Sequence, residues 1–154
     1  MVRRWSVPAG PVAGFCQAQL VNAVYIIAAG RASDAPIAAQ EIAVMTAIGE
    51  SGLRNLNYGD TAGPDSRGLF QQRGNWGPLA VRMDPYKAAK LFYGRLLGLP
   101  GWQKLTPTAA AHAVQGNADP GYYTQFVARA QELVATFSTD APGPTATIPA
   151  PTFT

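Results

Sequence analysis

The chain has 154 residues, of which 47% are hydrophobic and 14% are charged. This length and composition fit one globular domain that buries roughly two-thirds of its unfolded surface. The formal net charge of +3 is mild, and the cationic residues are scattered along the chain. They form no basic stripe interleaved with aromatic residues, so we expect no nucleic-acid partner.

Cysteine and histidine are too scarce for thiol or metal chemistry. Cys16 is the only cysteine and His112 the only histidine. One cysteine forms no intrachain disulfide and builds no zinc site of several thiolates. A lone histidine before Ala113 and Val114 is more often a structural side chain than a ligand or base. We therefore expect no metal and no cofactor.

The N-terminal segment carries Arg3 and Arg4 like a signal peptide, but prolines and glycines interrupt any apolar core before Cys16. We therefore expect no export signal. The longest apolar stretch, residues 24–30, is far shorter than the roughly 18 residues that span a bilayer, and we expect no membrane insertion.

Composition divides the chain into three parts. Residues 1–14 are rich in Gly and Pro and are predicted to be an irregular arm. Residues 138–154 carry four prolines among Thr and Ala and are predicted to be a linker or tail. The predicted domain lies between them, at residues 15–137.

Prolines and glycines divide this domain into helices, because Pro favours the first turn of a helix and Gly its exit. The first helix is predicted from about residue 15 to about residue 29, where Gly30 ends it. The second opens with Pro36 and runs to about Glu50, where Gly52 breaks it.

Three further helices follow. Asp84 and Pro85 start one that ends before Gly98, and a short one lies between Thr106-Pro107 and Gly116. The segment after Asp119-Pro120 has a 3.6-residue apolar rhythm and is predicted to be the longest amphipathic helix. Residues 67–72 are predicted as one edge of a small hairpin or an extended turn. The class is mainly α.

Glu50 is the strongest candidate for chemistry. A carboxylic acid where the chain leaves a buried helix has its ionised form destabilised by desolvation, so it stays protonated closer to neutral pH. Breaking a glycosidic bond needs such a proton donor. The alternative is an ordinary i,i+4 ion pair with Arg54, which the helix break at Gly52 disfavours.

Two motifs around this acid resemble a known family. Glu50-Ser51-Gly52, followed by Ser66-Arg67-Gly68-Leu69-Phe70-Gln71, resembles the paired motifs of lytic transglycosylases and goose-type lysozymes. Residues 50–60 with 68–73 are most similar to the lysozyme-like domains of actinobacterial wall hydrolases and of actinophage and mycobacteriophage endolysins and tail proteins. The resemblance implies a lysozyme-like fold, mainly α with at most a small hairpin, in which about five to seven helices surround a glycan cleft. It also implies peptidoglycan as the substrate.

Carried over by position, the resemblance makes Glu50 the acid and Ser51 the residue that orients it. The residues it implies along the sugar groove are Ser66, Gly68 and Gln71, with Gly68 letting backbone approach the glycan closely. Asp60 is either the acidic residue that positions or activates a water, or a polar turn residue after Gly59. Asp65 has a weaker claim to that role and otherwise belongs to a turn.

The sequence departs from transglycosylases where their Ala-Tyr-Asn segment is replaced by Ala113-Val114-Gln115, with Tyr123 further on. Gln115 is expected to hydrogen-bond an N-acetyl group. Tyr123 either contacts Glu50, stacks on a sugar or packs in the core.

Three further side chains have predicted roles, two of them in or near the groove. Trp76 is predicted as a platform for a sugar ring, and Trp102 as buried packing. Arg73 either meets a carboxylate of the peptide stem or is solvated at the surface.

These features favour an enzyme that cleaves the β-1,4 bond between N-acetylmuramic acid (MurNAc) and N-acetylglucosamine (GlcNAc). Attack by the muramyl residue's own hydroxyl makes it a lytic transglycosylase, and attack by water makes it a muramidase. The alternative is a non-catalytic glycan-binding or structural module of a phage tail or a multidomain wall protein.

The expected partner is the glycan strand of peptidoglycan, bound by a monomer that is fused to other wall-binding or lytic domains in a longer protein or acts alone. For location, the sequence favours a phage lysin that leaves the host cytoplasm through a holin. The alternative is an extracellular wall domain of a larger exported protein.

Overall fold

The computed structural model describes residues 7–117 and 119–138. Over these residues the chain is mainly α, as predicted. Its α-helices are α1 Gln17–Ala32, α2 Ile37–Ser51, α3 Leu79–Arg82, α4 Pro85–Leu97, α5 Pro107–Gln115 and α6 Val127–Phe137. Short 3-10 turns lie at Gly74–Trp76, Trp102–Lys104 and Tyr122–Phe126. Residues 1–6 of the predicted arm and 139–154 of the predicted tail lie outside the described residues.

Helix α2 lies at the centre of the fold and positions the candidate acid. It is apolar around most of its circumference, which is typical of a helix buried on all sides. It packs against α1, α4, α5 and α6. Gly52 ends it in the left-handed conformation with φ of +65°, and its N–H bonds the Ile48 carbonyl. Glu50 therefore lies where a buried helix leaves the core.

The predicted starts of two other helices are confirmed. The Asp84 side chain accepts hydrogen bonds from the N–H groups of Tyr86 and Lys87, and Pro85 occupies the first turn. The Thr106 side chain likewise accepts from Ala109 N ahead of Pro107. Each cap satisfies N–H donors that the first turn of a helix leaves without partners.

Gly30 does not end the first helix, which continues to Ala32. A Cβ atom at Gly30 would lie 2.6 Å from the Tyr93 hydroxyl oxygen, so the glycine serves close packing of α1 against α4. Tyr93 reaches across this contact to donate to the Ile26 carbonyl at 2.8 Å. The prediction that Gly30 ends the helix is therefore wrong, and Gly30 is a packing residue inside α1.

The fifth predicted helix is also corrected. After Asp119 the chain forms the 3-10 turn Tyr122–Phe126, and only then the 11-residue α6. The longest described helix is instead α1, with 16 residues. The turn changes the direction in which Tyr122 and Tyr123 project, and both reach the end of α2.

The loop between α2 and α3 carries the second motif. Arg67 and Gln72 form an isolated antiparallel bridge with each other through two backbone hydrogen bonds of 3.0 Å, so residues 67–72 form a closed turn and not the predicted edge of a hairpin. Leu69 and Phe70 at its tip are fully buried, and Phe70 stacks on Phe92 of α4 with ring centroids 4.9 Å apart. The loop is therefore anchored in the core.

Trp102 is 5% exposed and belongs to the same core, as predicted. None of the described helices is both long enough and apolar enough to cross a membrane.

Candidate active site

The C-terminal end of α2, the loop at 60–76 and the segment after α5 enclose a cleft of about 600 Å³. Most of its lining is polar. The charged and polar side chains that line it belong to Glu50, Asp60, Ser66, Gln71, Arg73, Asn75, Arg95, Gln115, Asn117, Asp119 and Tyr122. The structure thus brings six of the predicted site residues together: Glu50, Asp60, Ser66, Gln71, Trp76 and Gln115.

Glu50 is half-buried at this cleft. Its Oε1 accepts a hydrogen bond from the Tyr123 hydroxyl at 2.6 Å. Desolvation raises the pKa of Glu50, and the negative charge of Asp60 raises it further, while hydrogen bonds from Tyr123 and Gln115 act in the opposite direction. The net shift is upward, because burial outweighs the two donors.

Tyr123 reaches Glu50 only because residue 49 is a glycine. A Cβ atom at Gly49 would lie 2.8 Å from the Tyr123 ring, closer than such atoms approach. Tyr123 is itself fully buried, and burial followed by the nearby Glu50 charge raises the pKa of its hydroxyl. Two of its predicted alternatives therefore hold together: Tyr123 packs in the core and also contacts Glu50.

The alternative of a Glu50–Arg54 ion pair is not found. Arg54 is exposed, and among the described residues it makes no salt bridge with Glu50. Gly52 and Leu53 both have positive φ, of 65° and 61°, which turns the chain away from the helical path. Position 54 therefore does not follow position 50 along a helix face.

Gln115, the last residue of α5, connects this helix to the loop between α2 and α3 that carries the second motif. Its Nε2 donates to the Phe70 carbonyl at 3.0 Å, while its Oε1 is buried and has no hydrogen-bond partner among the described residues. A buried acceptor without a donor is costly. The amide contact predicted for Gln115 stays a prediction.

Ser51, predicted to orient Glu50, and Gly68, predicted to line the groove, make contacts within the protein and lie outside the cleft lining. The Ser51 hydroxyl donates to the Leu69 carbonyl at 2.7 Å and lies 3.1 Å from the Ala47 carbonyl, so it ties α2 to the loop, and among the described residues it makes no hydrogen bond with the Glu50 carboxylate. Gly68 is buried with φ of +83°, and a Cβ there would overlap the Arg82 carbonyl oxygen. Its close backbone approach in the protein is to the Arg82 carbonyl, and the predicted approach to a glycan stays a prediction.

Ser66 and Gln71 do line the cleft. Ser66 is 7% exposed, and its hydroxyl has no hydrogen bond with any described residue. The Gln71 side chain donates to the Tyr58 carbonyl at 3.1 Å and to the Gly68 carbonyl at 3.2 Å. Gln71 is thus held by the loop at the edge of the cleft.

The two loop aspartates, Asp60 and Asp65, differ in position and in hydrogen-bond partners. Asp60 is exposed, shares the cleft with Glu50, and accepts from Gly63 N at 2.7 Å through Oδ1, so it is both a turn residue and a cleft residue. Asp65 lies outside the cleft lining and accepts from Gly74 N at 2.8 Å and Arg73 Nε at 3.0 Å. Chiefly the Gly74 N–H, with Arg73, lowers the pKa of Asp65. Asp65 therefore fixes the Arg73 and Gly74 part of the loop by hydrogen bonds.

Trp76 lines the cleft, but one face of its indole ring is covered. The Arg95 guanidinium carbon lies 3.5 Å from the ring centroid, in a cation–π stack. Arg95 projects from the exposed face of α4, where no motif singles it out, so it was not among the predicted site residues. The predicted sugar platform therefore carries a cation on one face.

Asn117, Asp119 and Tyr122 are further cleft residues that the sequence analysis missed. Asn117 Oδ1 lies 2.9 Å from His112 Nδ1, which gives the lone histidine a structural contact. The Tyr122 hydroxyl donates to the Gly49 carbonyl at 2.7 Å. Their position just beyond the glycine that ends α5 was the available signal, since loops at helix ends commonly carry site residues.

Among residues 7–117 and 119–138, no three His, Cys, Asp or Glu side chains are close enough to hold a metal ion. No family model matches the chain, and comparison with curated proteins finds no match. A half-buried acid with an elevated pKa, facing a polar cleft beside a second carboxylate, is suited to proton transfer.

Proposed function

We propose that this chain has a lysozyme-like fold and cleaves the β-1,4 bond between MurNAc and GlcNAc in peptidoglycan, with Glu50 as the proton donor. The observation that carries the proposal is the half-buried Glu50 carboxyl, with its pKa raised by desolvation, facing a polar cleft. The paired motifs around residues 50–52 and 66–71 supply the substrate class.

In the first step, Glu50 transfers its proton to the glycosidic oxygen as that bond breaks, which leaves a carboxylate on the enzyme. The Tyr123 hydroxyl, at 2.6 Å from Oε1, and the Gln115 side chain stabilise this carboxylate as it forms. Burial favours the protonated acid before the transfer, and the two donors support the anion after it. The same carboxylate then acts as the base.

The second step differs between the two candidate reactions. In a muramidase, Asp60 positions or activates a water, and its Oδ2 is available because only Oδ1 bonds the Gly63 N–H. In a lytic transglycosylase, the muramyl residue's own hydroxyl attacks, Glu50 accepts its proton, and an anhydro sugar forms. Both routes use the acid at the same place.

The proton-donor role is tested with Glu50→Gln on purified cell walls, by the loss of turbidity. We expect activity to fall by about 10²- to 10⁴-fold, the usual contribution of general acid catalysis. Glu41→Gln is the matched control, because Glu41 lies on the same helix but outside the cleft. Retained activity in a folded Glu50→Gln variant would rule out this role.

Mass spectrometry of the released muropeptides separates the two reactions. Anhydro termini mean transglycosylation, whereas reducing termini mean hydrolysis. Asp60→Asn should abolish most hydrolysis in the second case and leave anhydro formation nearly intact in the first.

A second function is favoured by one observation. The Tyr123 and Gln115 donors would also suit a permanently ionised Glu50 that only accepts hydrogen bonds from sugar hydroxyls, as in a non-catalytic module of a phage tail or wall protein. Wall binding without any soluble sugar release would support this alternative. Ready lysis would exclude it.

The proposed site of action is the bacterial wall. A phage lysin would reach the wall through a holin, and a domain of a longer exported protein would act there after secretion. We propose that the domain acts as a monomer on glycan strands.

A further inference from the structure

Two arginines line the cleft that holds Glu50, and neither guanidinium is fully used by the protein. Arg95 stacks on Trp76 and makes no hydrogen bond or salt bridge with the described residues. Arg73 pairs with Asp65 through Nε, and its two Nη atoms have no acceptor among the described residues. Both present N–H donors to the cleft.

Arg82, the last residue of α3, is an arginine whose guanidinium is used to hold the preceding loop in place. Its Nε donates to the Gly77 carbonyl at 2.9 Å, and its Nη1 donates to the Asp65 and Gln72 carbonyls at 2.7 and 3.2 Å. Arg82 does not line the cleft. Arg73 and Arg95 both line the cleft, and contacts among the described residues use only Nε of Arg73 and the face of Arg95, so fastening the loop does not account for their remaining N–H donors.

Each of the two guanidinium groups has one contact within the protein that orients it. The salt bridge to Asp65 fixes the Arg73 Nε edge, and the Trp76 ring supports the plane of Arg95. A planar guanidinium binds a carboxylate through two parallel hydrogen bonds, and one that is already positioned loses less conformational freedom on binding. The pair is therefore suited to an anion with carboxylate geometry.

We propose that Arg73 and Arg95 form a carboxylate subsite that binds the peptide stem of the substrate. This inference rests on the proposed function. In peptidoglycan the amino sugars are uncharged once the lactyl group carries a peptide, and the carboxylates lie on that peptide. The subsite therefore makes the enzyme select strands that carry stems with free carboxylates over strands whose stems are amidated.

The test measures binding separately from cleavage. The ligand is the disaccharide GlcNAc-MurNAc-tetrapeptide, which lacks a MurNAc–GlcNAc bond and so is not cut by the proposed reaction. Its partner ligand is the same molecule with every carboxylate converted to a carboxamide. Isothermal titration calorimetry with the wild-type chain should give a Kd about tenfold lower for the carboxylate form, the discrimination expected of a charged hydrogen-bonded pair.

The variants assign this preference to residues. Arg95→Gln and Arg73→Gln should each weaken binding of the carboxylate ligand by several-fold to about tenfold and leave the amidated ligand nearly unchanged. Arg95→Lys should recover only part of the loss, because an ammonium lacks the planar pair of donors. Arg54→Gln is the matched control: it removes one exposed positive charge outside the cleft and should change neither Kd.

Several results would overturn the inference: equal affinity for the two ligands, no binding of either, or equal losses for both ligands in the arginine variants. Thermal unfolding of each variant shows whether the fold is intact, and Arg73→Gln provides the test if Arg95→Gln unfolds. Failure of the proposed catalysis looks different. In that case walls release no sugar while the arginine-dependent preference for carboxylates persists.

Discussion

Glu50 at the end of α2 and Asp65 in the loop that follows carry the same functional group, and the protein moves their pKa values in opposite directions. Glu50 ends a buried helix, where desolvation raises its pKa. Asp65 lies in an exposed turn, where the Gly74 N–H and Arg73 lower its pKa. A carboxyl that leaves the core is suited to hold a proton, whereas one surrounded by donors is suited to stay charged and fasten the chain.

The same contrast holds for the regions around them. The end of α2 is shaped by packing, since Gly49 makes room for Tyr123 and the Ser51 hydroxyl contacts the Leu69 carbonyl. The loop at 53–77 is shaped by hydrogen bonds and positive-φ residues such as Gly68 and Gln71. We therefore expect substitutions in the two regions to act for different reasons, through packing at the end of α2 and through backbone conformation and hydrogen bonding in the loop.

The largest effect is expected from Gly68→Ala in the loop. The new methyl group would meet the Arg82 carbonyl, and alanine is strained at a φ of +83°. We expect a loss of about 3 kcal/mol or more in the free energy of unfolding, measured in urea. Gly116→Ala is the control, because that glycine has φ of +67° but open space around it and should lose only about 1 kcal/mol. Equal losses would show that the contact with Arg82 is unimportant.

On the helix side, Gly49→Ala should destabilise the protein by about 1–3 kcal/mol, because the added methyl group collides with the Tyr123 ring. Gly94→Ala, on α4 with nothing near its Cβ position, should instead stabilise it by up to about 1 kcal/mol through helix propensity. Thermal unfolding measures both. If both substitutions stabilise the protein, Gly49 is not needed for packing.

Tyr123→Phe removes the hydroxyl that bonds Glu50 and should lower wall lysis by about tenfold, since a charge-assisted hydrogen bond is lost. That bond lowers the pKa of Glu50, so its loss should move the alkaline limb of the pH–rate profile to higher pH. Tyr122→Phe is the control, because its hydroxyl bonds the Gly49 carbonyl instead. An unmoved limb in Tyr123→Phe would contradict the coupling of Tyr123 to Glu50.

The smallest effects are expected in the pH dependence of stability. Because the folded pKa of Glu50 is raised, the wild type loses stability as pH rises through it, and Glu50→Gln avoids that loss. The variant should therefore have the higher Tm at neutral pH, by roughly 2–4 °C for each kcal/mol, and this gain should shrink as pH falls through the raised folded pKa of Glu50 and be gone below the ordinary Glu pKa of about 4.5.

Asp65→Asn should show the opposite sign. The pKa of Asp65 is lowered in the folded protein, so its stabilisation is present above the ordinary Asp pKa and is lost as pH falls through the folded value. The variant should have a slightly lower Tm at neutral pH, and the difference should vanish in strong acid. Shifts of the same sign in the two variants would undo the contrast between these acids.

The sequence predicted those parts of the fold that depend on neighbouring residues. Two helix starts, at Asp84-Pro85 and Thr106-Pro107, and one helix end, at Gly52, were predicted correctly, because caps and left-handed exits are local features. Gly30 was misread, since only the approach of Tyr93 from a distant helix explains a glycine inside α1.

Like the fold, the candidate site could be predicted only in part. Glu50 and the loop residues followed from their motifs, and the Tyr123 contact was one of the predicted alternatives. Arg95 was not predictable, because it enters the cleft from a helix face that looks like ordinary solvated surface. The internal contacts of Ser51, predicted to orient Glu50, and of Gly68, predicted to line the sugar groove, were not predictable, because a motif does not reveal which of its residues hold the loop in place.

The most direct test of the account is the titration of Glu50 and Asp65 in one sample, followed by the ¹³C chemical shifts of their side-chain carboxyl carbons, with Glu50→Gln used to assign the Glu50 signal. The account predicts that Glu50 titrates above its ordinary pKa of about 4.5 and Asp65 below its ordinary value of about 3.8. A Glu50 that titrates at or below its ordinary value would contradict its proposed role as the proton donor.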